Sequence, residues 1–165
     1  MFDRGFRKHK ARYILQCALA TLAVLIVLLI LDTISNTVVI AALGASSFIV
    51  FAMPGERVSR ARFLIGGYLV GTASGVLCHY LSVSPLFAQI SALQGYVDAV
   101  FGALAVGLAT FAMVITNTEH PPAAGLALGF VLNEWSYFTV VVVVVGIVLL
   151  AAIRRLLQPI LIDLV

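Results

Sequence analysis

The sequence predicts an all-α, polytopic transmembrane helix bundle with six crossings, and three observations carry that prediction. Hydrophobic residues make up 62% of the 165-residue chain and charged residues 10%, at a mean hydropathy of +1.14; soluble domains hold about 45–50% and about 25%. Long uncharged runs recur along the chain, most of them near the length that spans a hydrocarbon core of about 30 Å. All ten basic residues fall in three clusters that border those runs. A chain of this length forms one unit, divided into a basic arm over residues 1–12, a helix bundle over 13–153 and a tail over 154–165.

The clusters are Arg4, Arg7, Lys8, Lys10 and Arg12, then Arg57, Arg60 and Arg62, then Arg154 and Arg155. A nucleic-acid-binding face would spread such charges along a groove-tracking surface, so the net charge of +3 does not point to nucleic acid. Basic segments that flank apolar spans follow the positive-inside rule instead. The expected setting is the cell's inner membrane, multi-pass, with both termini cytoplasmic.

The spans read as residues 13–31, 37–53, 63–81, 96–116, 121–133 and 137–153. The first is uncharged for 18 residues from Ile14 and lacks a small-residue cleavage site directly after it, so it reads as a retained anchor. The second contains Gly44-Ala45-Ser46-Ser47 and stops at Pro54-Gly55. The third carries Gly67, Gly71 and Gly75 at four-residue spacing, a pattern that lets helix backbones approach closely. The fourth holds further glycines and the fifth holds Gly125 and Gly129. The last includes an unbroken valine run from Val140, read as a helix because a lone strand cannot satisfy its backbone in lipid.

The fifth stretch is short, at about 20 Å by helical rise. Counting it as a crossing puts all ten basic residues on one side; omitting it sends Arg154 and Arg155 to the other. Six crossings divide into two triplets of opposite direction, each long, short, long. Short segments interrupted by Gly and Pro at corresponding places point to a 3+3 inverted-topology repeat with a site between the halves.

The densest polar cluster, Thr116-Asn117-Thr118-Glu119-His120-Pro121-Pro122, lies between two apolar segments. Thr116, Asn117 or Thr118 can cap a helix whose first turn holds the prolines. If that helix begins inside the membrane, its free amides attract anions.

The stretch from Thr118 through His120-Pro121-Pro122 to Gly125 resembles the His-Pro-Pro signature of the HPP family of integral membrane proteins. Leu43-Gly44-Ala45-Ser46-Ser47, then Phe51-Ala52-Met53-Pro54, then Ile65-Gly66-Gly67 resemble that family's amino-terminal half in order and spacing. The signature often reads Thr-His-Pro-Pro-Gly, whereas Glu119 precedes His120 here and Ala123 follows Pro122. The resemblance implies a membrane domain whose plant and cyanobacterial relatives are associated with nitrite transport.

The expected function is therefore transport of a small monovalent anion, nitrite first. Ser46 and Ser47 would contribute from the first half. Thr116, Asn117, Thr118 and His120 would contribute from the second, with the helix that starts at Pro121 and Pro122 supplying amide donors. His120 and Glu119 are the proton-coupling candidates. Gly44, Gly67, Gly71, Gly75, Gly125 and Gly129 are the packing candidates. Tyr68 lies deep enough to line a path, whereas His79, Tyr80, Tyr96, Asp98, Glu134, Trp135 and Tyr137, with Asp32 and Asn36, read as outer-boundary groups. Cys17 and Cys78 read as small buried hydrophobes.

Two other classes compete. A membrane-embedded enzyme would have to draw on His120, Glu119, Asp98 and His79, but the first pair and the second lie a bilayer apart, and no HExxH, CxxC, GxSxG or phosphate loop is present. No catalytic residue, cofactor or metal is expected. An assembly subunit would work through its apolar tail. A homo-oligomer is expected, with dimer and trimer both open, because six short crossings shield broken-helix ends poorly.

Overall fold

In the computed structural model, which describes residues 4–31, 37–88 and 94–165, the apolar runs are helices. Asp32 and Asn36 lie outside the described residues, as do the side chains of Arg4, Arg7 and Lys8. In chain order the helices are α1 (Arg4–Leu31), α2 (Thr37–Ala52), α3 (Ala61–Ser82), the single turn α4 (Pro85–Ala88), α5 (Gln94–Thr116), α6 (Pro121–Leu132) and α7 (Tyr137–Leu157). A 3-10 turn, Arg57–Ser59, sits in the linker from α2 to α3. Lys10–Leu29 of α1, Ala61–Ser82, Tyr96–Thr116 and Tyr137–Leu157 are long and apolar enough to cross a membrane; Val39–Ala52 and Pro121–Leu132 are shorter apolar helices.

The route of α6 follows from what lies at its ends. Its start meets the α2–α3 linker, where His120 Nδ1 lies 3.1 Å from the Val58 carbonyl. Its far end meets an aromatic cluster in which Phe130 and Trp135 stack edge to face at 5.3 Å. Tyr80, near the end of α3, and Tyr137, at the start of α7, join that cluster through hydroxyls 3.0 Å apart. α7 then returns, and Arg154 Nη2 donates to the Pro54 carbonyl at 2.8 Å. Six helices thus run alternately between two ends, and the second and third basic clusters share one of them.

Local chemistry sets the turns. α5 stops because Asn117 takes a left-handed conformation, φ 54°, which Asn tolerates better than most residues. The Thr118 amide donates to the Met113 carbonyl and the Asn117 amide to the Val114 carbonyl, the Schellman pattern that satisfies the last carbonyls of a helix. Prolines then fill the first two positions of α6. α7 starts at a capping box in which Ser136 and Thr139 each bond the other's backbone amide.

α3 is the centre of the bundle: half of its span is buried, against 17% for α1. It runs parallel to α6, and glycines bring the two backbones together. A Cβ at Gly67 would sit 2.5 Å from His120 Cβ, one at Gly71 would overlap the Ala123 carbonyl oxygen, and one at Gly75 would lie 2.7 Å from the Ala127 carbonyl oxygen. Gly129 is buried in α6. Gly44 and Gly125 differ: a Cβ on either would meet nothing within 4 Å, so the packing role expected of them is absent within this chain. They are turned away from the seam.

The ends also depart from expectation. Residues 4–12 of the basic arm continue helically into α1. α7 continues past residue 153 to Leu157. The tail packs on its own chain: Gln16 Nε2 donates to the Ile162 carbonyl at 2.8 Å, the Tyr13 hydroxyl to the Leu164 carbonyl at 3.0 Å, and the Leu164 amide to the Ala52 carbonyl at 2.8 Å. Cys78 is buried but Cys17 is exposed, facing outward from α1.

Candidate functional site

Four residues from four segments meet where α2, α3 and α6 converge. Ser46 comes from the middle of α2, Tyr68 from the second turn of α3, His120 from the residue before α6, and Val58 from the linker turn. Ser46 and Tyr68 are wholly buried and His120 is 1% exposed. The Ser46 hydroxyl lies 2.8 Å from His120 Nε2 and 2.9 Å from the Tyr68 hydroxyl.

The backbone orders the protons in this chain. The Val58 carbonyl can only accept, so His120 Nδ1, 3.1 Å away, carries hydrogen and donates. In the neutral imidazole Nε2 is then the acceptor, Ser46 donates to it, and Tyr68 donates to Ser46. Each polar side-chain atom of Tyr68, Ser46 and His120 thus finds a partner, as burial requires. His120 itself stands in the linker between two spans, and burial pushes its pKa down to about 4, opposed by the bond to Val58. It is neutral at pH 7.

The remaining expected site residues are distributed differently. Ser47 follows Ser46 by one residue, about 100° around the helix, and faces α1 and α7 instead. Its hydroxyl is buried without a partner, beside a void of about 10 Å³ lined by Val24, Val27, Leu43 and Leu150. The two serines do not share a site.

Thr116, Asn117 and Thr118 lie at the surface of the end that bears the basic clusters. Arg57 donates to Asn117 Oδ1 at 2.6 Å, Arg62 to the Thr116 carbonyl at 3.1 Å, and the hydroxyls of Thr116 and Thr118 are 2.8 Å apart. Glu119 is half-buried at the same end.

The first three residues of α6 offer no free amide, which narrows the donor role expected of it. Pro121 and Pro122 have no N–H, and the Ala123 amide already donates to the His120 carbonyl at 2.9 Å. The prolines shape the helix start and bring no hydrogen to a ligand.

Two buried polar residues that sequence reasoning did not single out, Gln16 and Ser59, tie the fold together, joined by Arg154, which the sequence marked only as a basic-cluster residue. Gln16 is buried between α2 and the tail, Ser59 bonds the Pro54 and Glu56 carbonyls, and Arg154 reaches Pro54 and Ser59. Gln16 carried a readable signal as a lone amide in an apolar run. At the opposite end His79 and Trp135 stack at 5.3 Å. Among the described residues no group of three His, Cys, Asp or Glu side chains is placed to hold a metal.

No curated protein and no solved structure matches this chain. The family model described as "HPP, transmembrane region" matches residues 6–161. That match covers nearly the whole bundle, and with six alternating apolar helices behind it, the chain belongs to the HPP transmembrane family.

Proposed function

We propose that this protein moves a small monovalent anion across the inner membrane, with nitrite the first substrate to test. The observation that carries the reading is the buried Tyr68–Ser46–His120 chain at the bundle centre, made of neutral donors without a carboxylate among them. Hydroxyl and imidazole hydrogens can replace part of an anion's hydration while holding it weakly enough for release. In this structure the three side chains satisfy one another. An anion entering between α2 and α6 would take the Ser46 and Tyr68 hydroxyl hydrogens, and His120 Nε2, the acceptor in this structure, would donate to it on taking up a proton. Ser47, with its unsatisfied hydroxyl, is a second candidate contact on the other face of α2. The surface residues Thr116, Asn117 and Thr118 would form the approach, and His120 with Glu119 would be the pair through which a proton is coupled.

A 3+3 inverted repeat supports alternating access around such a site. In favour of that reading, each helix pair has a touching counterpart when α1, α2 and α3 are exchanged for α5, α6 and α7, although α3 packs far more extensively on α5 and α6 than α7 does on α1 and α2. The exchanged helices run in opposite directions. The shared end of the basic clusters supports cytoplasmic termini under the positive-inside rule. We read the chain as non-enzymatic, and its exposed apolar helix faces as meeting lipid and further copies in a dimer or trimer.

The test is uptake into proteoliposomes of nitrite, nitrate, formate, chloride and bicarbonate, comparing wild type with Ser46→Ala and His120→Ala. A roughly tenfold or greater fall in flux of one anion is expected, since each substitution removes a hydrogen bond worth about 1.5–3 kcal/mol to a charged group. Unchanged flux of all five anions in both folded variants would remove this site.

A further inference from the structure

The end of the bundle that carries the basic clusters also holds a feature the transport reading does not use. Between the last turns of α7 and the α2–α3 linker lies a crevice of about 520 Å³, lined by Pro54, Gly55, Arg60, Arg154, Arg155 and Gln158, with Ala61 and Ala151 on its walls. Three arginines therefore line one space. None of them pairs with a carboxylate among the described residues; the nearby Asp163 carboxylate is taken by the Gly55 amide, at 2.8 Å.

Two further observations give the crevice a ligand chemistry. Arg154 is 8% exposed and spends Nη2 on Pro54 and Ser59, yet its buried Nε has no partner. An unpaired donor on a buried cation is costly unless an anion completes it. Beside it α3 begins at Ala61 with Arg60 as its cap residue and no side-chain cap bond, so a 22-residue helix presents its positive end uncapped. An uncapped helix start together with planar arginine forks suits an oxyanion with several acceptor atoms.

We propose that this crevice binds a phosphate group, and that the phosphate is the headgroup of an anionic phospholipid. The position favours lipid: the crevice lies where α7 leaves its apolar span, at headgroup level, on the side where basic pockets between helices meet anionic lipid. The proposal stands apart from the anion site at Ser46 and His120, and its readout is binding rather than flux.

Native mass spectrometry of the full chain, released from detergent with dioleoylphosphatidylglycerol or with dioleoylglycerol, tests it. Arg60→Gln/Arg155→Gln is the informative variant because both side chains are exposed, whereas Arg154→Gln also unties the linker. Wild type should retain phosphatidylglycerol and not dioleoylglycerol. The double variant should bind the phospholipid roughly thirtyfold more weakly, from about 1 kcal/mol for each arginine. Displacement by millimolar inorganic phosphate, lost in the variant, would keep the phosphate site and assign it a soluble source. Equal phosphatidylglycerol retention by wild type and variant would overturn the proposal.

Discussion

The seam between α3 and α6 and the attachment of α1 solve the same problem in opposite ways. On the seam, glycines at 67, 71 and 75 let one helix lie against the other's carbonyl oxygens and Cβ atoms. On the α1 side the contact is sparse: Ile14, Leu22, Leu25 and Leu29 are exposed, and the most buried polar group is Gln16. Its amide donates to the Phe51 carbonyl at 2.7 Å and accepts from the Ile162 amide at 3.1 Å. Lipid is as apolar as leucine, so hydrophobicity does not press one helix on another. What remains is van der Waals contact where side chains are absent, or a polar bond shielded from water. The seam uses the first, with Ser46 of α2 bridging Tyr68 of α3 to His120 before α6; α1 relies on the second.

Gly71→Leu should be the most damaging break in this contrast. The side chain meets the Ala123 carbonyl, which belongs to a helix backbone and has no room to yield. A loss of about 3 kcal/mol or more is expected, read as a fall in detergent melting temperature, whereas Gly44→Leu, in open space, should change little. Equal melting of the two variants would show that the seam does not depend on close approach.

The next test sharpens the polar part of the seam. His120 is neutral when folded, with its pKa pushed down to about 4, against about 6.5 when unfolded. The unfolded chain therefore binds the extra proton between those values, and stability falls as pH drops through that window. The contribution lost amounts to about 3 kcal/mol by pH 4. Melting temperature should fall with acid in wild type, and more shallowly in His120→Gln; parallel profiles would argue against a buried neutral imidazole. Gln16→Leu is the mildest of the three, at about 1–2 kcal/mol, and should free the tail to proteolysis beyond Gln158 while leaving the seam intact. Protection equal to wild type would mean that the tail is held by other contacts.

Much of this architecture was legible in advance, for reasons that particular residues make plain. Arg154 and Arg155 counted the crossings, because a charge at a span end must return to the same side as its fellows. The four-residue glycine spacing announced a packing face without saying that α6 would fill it. Ser46 and Ser47 were indistinguishable in one dimension, yet a helical step of about 100° sends them to different neighbours. The prolines marked the start of α6 correctly, but the amides imagined there were those that proline lacks or that His120 already binds. Gln16 and Ser59 gave no hint of their partners, which stand 146 and 5 residues away at Ile162 and Pro54.

By itself the sequence determined how many apolar helices the chain forms, where the turns between them fall, and which end collects positive charge. Those are consequences of local composition: apolar length against bilayer thickness, Asn and Pro at the turns, and arginine kept out of hydrocarbon. Only the tertiary structure decided that His120 turns inward to Ser46 while its neighbours remain at the surface. It also decided that α3 is the central helix and that the tail folds back onto α1. Such choices depend on which backbones can approach within a methyl group of each other, and that is settled by the facing helix.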